Sequence, residues 1–341
     1  LPIIWFNHGL STVHDAVAML GADPIPDLRI LASHQDPHAP ALTLADEGFA
    51  EPPGLSGEAY AHWCLSVCRD RRVDLFLPQG ERMAIADHLP AFAAIGTRVL
   101  LPGDGATLRL LHDKARFTEA ALAAGLPMPW TAEVADGAGF DAALAQLSAA
   151  GLPACVKPAK GVFGAGFWRL RDEVGAFDAL MAPDSRAIPT EMMRAALIGA
   201  PARRLLVMEH LPGVEWSVDC LCDNGRLLAG IARRKMGRAQ LLEVEGPVHD
   251  LARRAVAVFG LSGLVNAQFK AAGEDGADPR MLEINARMSG GCFYTIHSGV
   301  NLPWWQVAIA LGHARAEDVP APRGGALIGA IGAGIVLRAP W

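Results

Sequence analysis

The sequence predicts an α/β fold in its N-terminal third and an α+β fold in the remainder. Three observations carry this reading. Residues 1 to about 110 alternate strand and helix patterns, which argues for a small open parallel sheet with helices on its faces. Asp223-Asn224-Gly225 separates two apolar strand patterns and has the composition of a tight hairpin turn. Residues 265–271 and 280–285 form a second hairpin pattern across a loop rich in Gly and Asp.

The elements follow in order. Residues 3–6 are a strand, Asn7-His8-Gly9-Leu10-Ser11 a turn, and 12–20 a helix with Ser11 as its N-cap. Strand 29–33, amphipathic helix 58–71, strand 73–78, helix 85–95 and short strand 99–101 complete the first region. The turn after the first strand lacks Gly-x-Gly-x-x-Gly, so no dinucleotide fingerprint is present. Beyond Gly103 come a long helix over 108–124, strand 130–134, helix 140–149, strand 154–157 and the loop 160–166. Strand 167–170 and helix 173–181 precede an insertion, 183–203, with no strand character and one helix at 190–197. Strands 204–211, 215–222 and 226–234, helix 247–259 and the second hairpin follow. The apolar stretch 324–336 reads as a core strand or an interface.

Length, at 341 residues, allows two or three domains with real cores. The net charge of −6 and the lack of a basic block disfavour a nucleic-acid partner. No apolar run is long enough for a membrane span, and the N-terminus reads as a buried strand rather than a leader. None of the six cysteines forms Cys-x-x-Cys, which fits a reduced, cytoplasmic protein. Cys64 and Cys68 lie one helical turn apart near His62; buried packing is the favoured reading over a metal site.

Several clusters carry chemistry. Glu283 and Asn285, two apart at a strand end, share one side. Their oxygens suit a hard cation, and Arg287 adds a fixed positive charge. Gln268 offers oxygen from the neighbouring strand, while Ala267, Phe269, Leu282 and Ile284 fill the opposite face. Lys160-Gly161-Val162-Phe163-Gly164-Ala165-Gly166 suits backbone approach to phosphate oxygens, and reads equally as a tight turn. Lys157 ends an apolar strand, where an anion would offset its burial; a snorkelling lysine is the plain alternative. Glu209-His210-Leu211-Pro212-Gly213 suits a hinge whose exposed backbone could read an adenine edge, with Glu215 as a candidate for ribose hydroxyls; a strand–turn–strand with two solvated glutamates is the plain alternative. Arg233, Arg234 and Lys235 supply cations for a phosphate or carboxylate, or form a solvated basic end.

In this order the pieces resemble the ATP-grasp superfamily, in its carboxylate–amine ligase and carbamoyl-phosphate-synthetase-like branch. The likeness covers roughly residues 108–313. It implies a pre-ATP-grasp open parallel sheet domain at 1–107, a two-lobed ATP-grasp domain at 108–320 with a lid lobe at about 130–211, and an extension at 321–341. It also assigns roles. Lys114, within Asp113-Lys114-Ala115-Arg116-Phe117, and Lys157 would contact nucleotide. Lys160, Gly161, Gly164 and Gly166 would belong to the lid loop. Glu209, His210 and Leu211 would read adenine, and Glu215 ribose. Gln268, Glu283 and Asn285 would bind metal; Arg287, with Arg233 and Lys235, would act on the transferring phosphoryl group or the substrate. Two departures stand out: Ala286 replaces the family's common Pro, and Gln268 replaces a frequent carboxylate.

The resemblance implies ATP with Mg²⁺ or Mn²⁺, small-molecule carboxylate and amine substrates, and ligation through an acyl phosphate with release of ADP and phosphate. Homodimers are common in the family. Residues 8–11, 79–82 and 288–298, with Arg233 and Lys235, are the positions expected to select substrate. The rival expectations are an ATP-binding regulator and a carboxylate kinase that does not join an amine.

Overall fold

A computed structural model describes residues 1–9, 12–161, 164–198, 204–331 and 336–337. The chain divides into two compact units: residues 1–109, 216–268 and 284–341 form the first, and 110–215 with 269–283 the second. The division passes through two strands, after Gln268 and after Glu283.

The first unit opens with a parallel sheet of β1 (Ile3–Phe6), β2 (Arg29–His34), β3 (Glu47–Ala50), β4 (Leu75–Leu77) and β5 (Arg98–Val99). Their spatial order is β3-β2-β1-β4-β5, and every pairing is parallel. The order reverses between β1 and β4, where open α/β sheets leave a crevice at the strands' carboxyl ends. Helices α1 (Thr12–Ala22), α2 (Ala41–Leu44), α3 (Gly57–Arg71), α4 (Arg82–Ala86) and α5 (Leu89–Ala94) connect the strands. The expected single helix over 85–95 is two: the run breaks at Asp87 and His88, where His88 has a non-helical backbone (φ −114°, ψ 10°), and Pro90 stands in the first turn of α5, where its missing N–H costs no helical bond. Strand β3 was not anticipated. It is four residues long and half exposed, with little apolar signal. One face of the sheet buries Trp5, Phe76 and Phe92 with Tyr60, Cys64 and Cys68. Trp5 stacks on Phe76 with ring centroids 4.3 Å apart.

Further along come α6 (Gly105–His112) and α7 (Lys114–Ala123), where one helix was expected. Asp113 breaks the run: its backbone is extended and its carboxylate accepts from the Arg116 N–H, so it caps α7. Lys114 thereby becomes the first residue of a helix.

The second unit holds β6 (Thr131–Val134), β7 (Ala154–Pro158), β8 (Trp168–Leu170), β9 (Ala187–Ile188) and β10 (Leu205–Glu209), in the order β6-β10-β7-β8-β9. Helices α8 (Gly137–Ala149), α9 (Ala176–Met181) and α10 (Thr190–Leu197) accompany them. Phe140, Leu147, Val156 and Val207 make its core. The insertion contains α10 as expected, but Ala187–Ile188 also adds a short strand parallel to β8. Two residues are too few to leave a periodic signature.

A six-stranded sheet of order β15-β14-β11-β12-β13-β16 follows, formed by β11 (Glu215–Asp223), β12 (Arg226–Met236), β13 (Ala239–Glu243), β14 (Gly263–Ala271), β15 (Pro279–Asn285) and β16 (Leu327–Gly329). The Asn224-Gly225 turn has positive φ at both residues, 47° and 82°, as a tight hairpin requires. Helices α11 (Pro247–Val258) and α12 (Leu302–Leu311) complete the chain. The apolar stretch 324–336 contributes β16, paired with β13. Its residues 332–335, the proposed N-cap Ser11, and Val162 and Phe163 of the glycine loop lie outside the described residues. Among the described residues, no helix is long and apolar enough to cross a membrane.

Candidate functional site

In the second unit, the lysines and the glycine loop come together. Lys114 Nζ donates to the Gly161 carbonyl at 2.8 Å and lies 3.3 Å from Glu283 Oε2. Its backbone N–H donates to the Ala159 carbonyl at 3.1 Å, tying the start of α7 to the strand that carries Lys157. The Lys157 side chain is partly buried at the end of β7. Burial pulls its pKa down, the Glu283 carboxylate opposes this, and the nearby Lys114 charge adds to it. Two ammonium groups therefore share one carboxylate. Such a set retains positive charge and fits anionic phosphate oxygens.

Gly161, Gly164 and Gly166 all have positive φ, at 151°, 62° and 74°. A Cβ on Gly166 would stand 2.8 Å from Pro158 Cγ, so side chain and backbone geometry both demand glycine there. The Gly164 carbonyl accepts from Arg186. Lys160 is exposed.

The hinge is less open than the sequence suggests. Glu209 and Leu211 are buried, at 8% and 3% exposure. The Glu209 N–H donates to the Trp130 carbonyl at 2.9 Å and the His210 N–H to the Pro153 carbonyl at 2.7 Å, so both donors are spent inside the unit. The Leu211 N–H has no acceptor among the described residues. The Glu209 carboxylate takes the Trp130 N–H at 3.2 Å and lies 3.8 Å from Arg280. It braces the hinge through its side chain. Burial, with the charges of Lys270, Arg169 and Arg171, brings His210 down to about 4, so its ring is neutral at physiological pH. Glu215 is partly exposed at the start of β11.

In the first unit, the Arg233 side chain is buried, at 5% exposure, as is that of Asp219, at 3%. Arg233 Nε donates to Asp219 at 2.7 Å, Nη1 to Gln240 Oε1 at 2.6 Å and Nη2 to Ser289 Oγ at 2.8 Å. Ser289 and Asn266 also donate to Asp219, at 2.6 and 3.0 Å. Arg233 is expected to act on the phosphoryl group or the substrate; in this structure it is a buried partner of Asp219. Its guanidinium is consumed in a buried network that fixes the Ser289-Gly290-Gly291 turn, and Gly291 is needed because a Cβ there would stand 2.2 Å from Arg233 Nη1. Lys235, two residues on, is exposed.

Arg287 Nη1 donates to the Met288 carbonyl at 3.2 Å and Nη2 to Asn285 Oδ1 at 3.3 Å, which orients it just beyond β15. A second arginine, Arg82, comes close: burial and then the Arg287 charge lower its pKa to about 10. Arg82 Nη1 donates to the Gln79 carbonyl at 2.5 Å. Gln79 and Arg287 line one small cavity of about 30 Å³, together with Pro78, Ala286 and Gln306. Gln268 is partly exposed, with its amide 3.5 Å from Asn266 Oδ1. Opposite it, Ala267, Phe269 and Ile284 are buried as expected, while Leu282 is only partly buried.

All six cysteines are free and buried. Burial pushes the Cys64 and Cys68 thiols up, which suits packing rather than metal binding.

Residues 202–331 match the model of a family described as ATP-grasp in the biosynthetic pathway with Ter operon. No curated protein matches. Solved structures similar to the chain include three enzymes. The biotin carboxylase domain of Hydrogenobacter thermophilus 2-oxoglutarate carboxylase, in complex with MgADP, ADP and bicarbonate, is 16% identical over 95% of this chain and 73% of that one, with a TM-score of 0.65. L-amino acid ligase from Bacillus licheniformis is 15% identical over 94% and 78%, with a TM-score of 0.63. N5-carboxyaminoimidazole synthetase from Staphylococcus aureus is 12% identical over 94% and 79%, with a TM-score of 0.67.

Proposed function

We propose, from the premise that the chain has an ATP-grasp fold, that it is an ATP-dependent ligase joining a carboxylate to an amine through an acyl phosphate. The observation that carries this reading is the pairing of Lys114 and Lys157 with Glu283, a cationic set that retains positive charge and so suits phosphate oxygens. The similar L-amino acid ligase and N5-carboxyaminoimidazole synthetase structures support it as likenesses of fold.

In this reading Lys114 and Lys157 neutralise charge on the phosphates, and Gly161, Gly164 and Gly166 bring backbone close to them. Lys160 adds a cation at the loop's start. Mg²⁺ or Mn²⁺, held by Glu283 and Asn285 with Gln268 as a neutral third oxygen, would offset charge on the β- and γ-phosphates. The hinge at Glu209, His210 and Leu211 meets the base through the Leu211 N–H and the neutral His210 ring, and Glu215 takes the ribose hydroxyls. Arg287 neutralises charge on the transferring phosphoryl group, and Lys235 serves the phosphate or the substrate carboxylate. Arg233 positions Ser289 instead of reacting.

The carboxylate oxygen bonds to the γ-phosphorus and ADP leaves. The amine then forms the C–N bond and phosphate departs. Exclusion of water by the loop protects the acyl phosphate from hydrolysis. The test is ADP release with Mg·ATP across a panel of amino acids and small carboxylic acids, each with and without a second amine. Release that requires acid and amine together is expected. Nucleotide binding with no acid-dependent release across the panel would point to a regulator. Release with an acid alone, unaffected by any amine, would point to a carboxylate kinase.

A further inference from the structure

The carboxyl ends of β1, β2 and β3 bury a polar network that the roles above leave unused. Asn7, which follows β1, is 0% exposed. Its Oδ1 accepts from the Gln79 and Gly80 N–H groups at 2.5 and 3.3 Å, and its Nδ2 donates to the Gly80 carbonyl at 3.2 Å. Asn7 therefore staples β1 to the loop after β4, across the reversal of strand order where such sheets receive ligands.

The next residue is His8. Its Nδ1 lies 2.5 Å from Glu51 Oε2 and 2.9 Å from Tyr60 Oη. Glu51, 4% exposed, also takes the His8 backbone N–H at 2.6 Å, the Ser33 hydroxyl at 2.7 Å and the Tyr60 hydroxyl at 2.8 Å. A carboxylate offers about four lone-pair sites, and four donors fill them here. Burial pushes the Glu51 carboxyl up, but the bonds from His8 and Ser33 and the His8 charge outweigh it and hold it below the usual range. Burial, with Cys64 and Glu51 alongside, pushes the Tyr60 phenol up, so that hydroxyl keeps its proton and donates.

With Glu51 able only to accept, the proton in its bond with His8 belongs to Nδ1. Nε2 is then the ring nitrogen that Glu51 and Tyr60 do not engage. A Cβ at Gly80 would stand 2.5 Å from that nitrogen and 2.9 Å from the two ring carbons beside it, so glycine is what lets the loop after β4 pack against the imidazole. The His8 side chain is 25% exposed against 0% for Glu51. His34 is the other titratable group facing it among the described residues, edge-on at 6.3 Å. The loop beside His8 continues through Gln79 to Arg82 and so to Arg287, all within the first unit.

We propose that His8 is the general base that takes a proton from the acceptor amine, with Glu51 and Tyr60 as positioning residues. The ligand class is an amine delivered as its ammonium ion. This rests on the ligase reading above. The ammonium gives one proton to His8 Nε2, and the freed electron pair attacks the acyl carbon. The C–N bond forms, and the bond from that carbon to the phosphate oxygen breaks with its electrons leaving on phosphate. Phosphate takes the second proton from nitrogen, and His8 returns the first to solvent.

Hydroxylamine separates this step from the first. It is unprotonated at neutral pH, needs no base, and reports the acyl phosphate as hydroxamate. The experiment measures amine product and hydroxamate for wild type, His8→Gln, Glu51→Gln and Gly80→Ala across pH. For His8→Gln the ratio of amine product to hydroxamate is expected to fall by about 10²-fold or more, and to recover as pH rises and the amine deprotonates unaided. Glu51→Gln should displace the pH profile of amine transfer, and Gly80→Ala should lower the same ratio by pushing the imidazole out of place. A ratio unchanged in soluble His8→Gln, or a loss equal for both nucleophiles at every pH, overturns the assignment. Absence of hydroxamate from wild type with every carboxylate overturns the ligase reading itself, and this proposal with it.

Discussion

Lys114 Nζ stands 3.3 Å from Glu283 Oε2 while also donating to the Gly161 carbonyl at 2.8 Å, so one ammonium ties the start of α7 to both the candidate metal ligand and the glycine loop. Glu283→Ala removes a charge from this triangle. It is expected to abolish acid-dependent ADP release while leaving the thermal transition within a few degrees of wild type. Retained turnover in a folded Glu283→Ala protein would remove the metal assignment.

Lys157 tests the nucleotide side. Its ammonium is destabilised by burial, and a bound phosphate would offset that cost. Lys157→Ala should weaken ATP binding by roughly 10-fold to 100-fold, the loss of one bond to a charged group. Wild-type affinity should also fall as pH rises toward the lowered pKa, since only the protonated amine attracts phosphate, and the substitution should flatten that slope. Calorimetry at several pH values reads both effects; equal affinity in the two proteins contradicts the role.

Asp219 and Arg233 make a different prediction. Asp219→Ala leaves a buried guanidinium uncompensated, which costs about 3–5 kcal/mol. Urea unfolding should show this loss at neutral pH. A change below about 1 kcal/mol would mean that the pair behaves like an exposed one.

His210 supplies a pH dependence with a definite sign. Its folded value, about 4, lies below the ordinary 6.5, so the unfolded chain binds more protons between these values. Stability is then full above about pH 6.5, declines as pH falls through the window, and levels off below about pH 4. The ring is partly exposed, so the contribution is on the order of 1 kcal/mol after allowance for solvent screening. His210→Gln should remove that part of the slope in urea midpoints measured from pH 7 to pH 4.

Asp113 caps α7 through the Arg116 N–H, and it also pairs with Arg204. Asp113→Ala should cost about 1 kcal/mol from the cap alone. Asp113→Asn, which retains a cap, should recover most of it. If both variants lose the same amount, the ion pair and not the cap carries the stability.

The chemistry lay in the sequence wherever it is local. Glu283, Asn285 and Arg287 fall within five positions of one strand end, and Lys157 and the glycines share one short run, so the sequence alone sets them side by side, and the family resemblance implies their roles. The break at Asp113 was hidden because good helix formers flank it on both sides, and the competing bond to Arg204 comes from 91 residues away. Arg233 reads as a cation for phosphate or carboxylate, or as part of a solvated basic end, until the β11–β12 pairing brings Asp219 beside it. The His8 network has no local signature at all. Its members Glu51 and Tyr60 lie 43 and 52 residues beyond His8, and the sheet order that gathers them emerges only from the parallel pairing of β1, β2 and β3.

The most direct test of the ligase reading follows the oxygen atoms. A carboxylate substrate carrying heavy oxygen in both positions is turned over with Mg·ATP and the amine, and the released phosphate is analysed by mass. Passage through an acyl phosphate transfers one labelled oxygen to each phosphate, and that is the predicted result. Unlabelled phosphate alongside amide product would contradict the proposed chemistry.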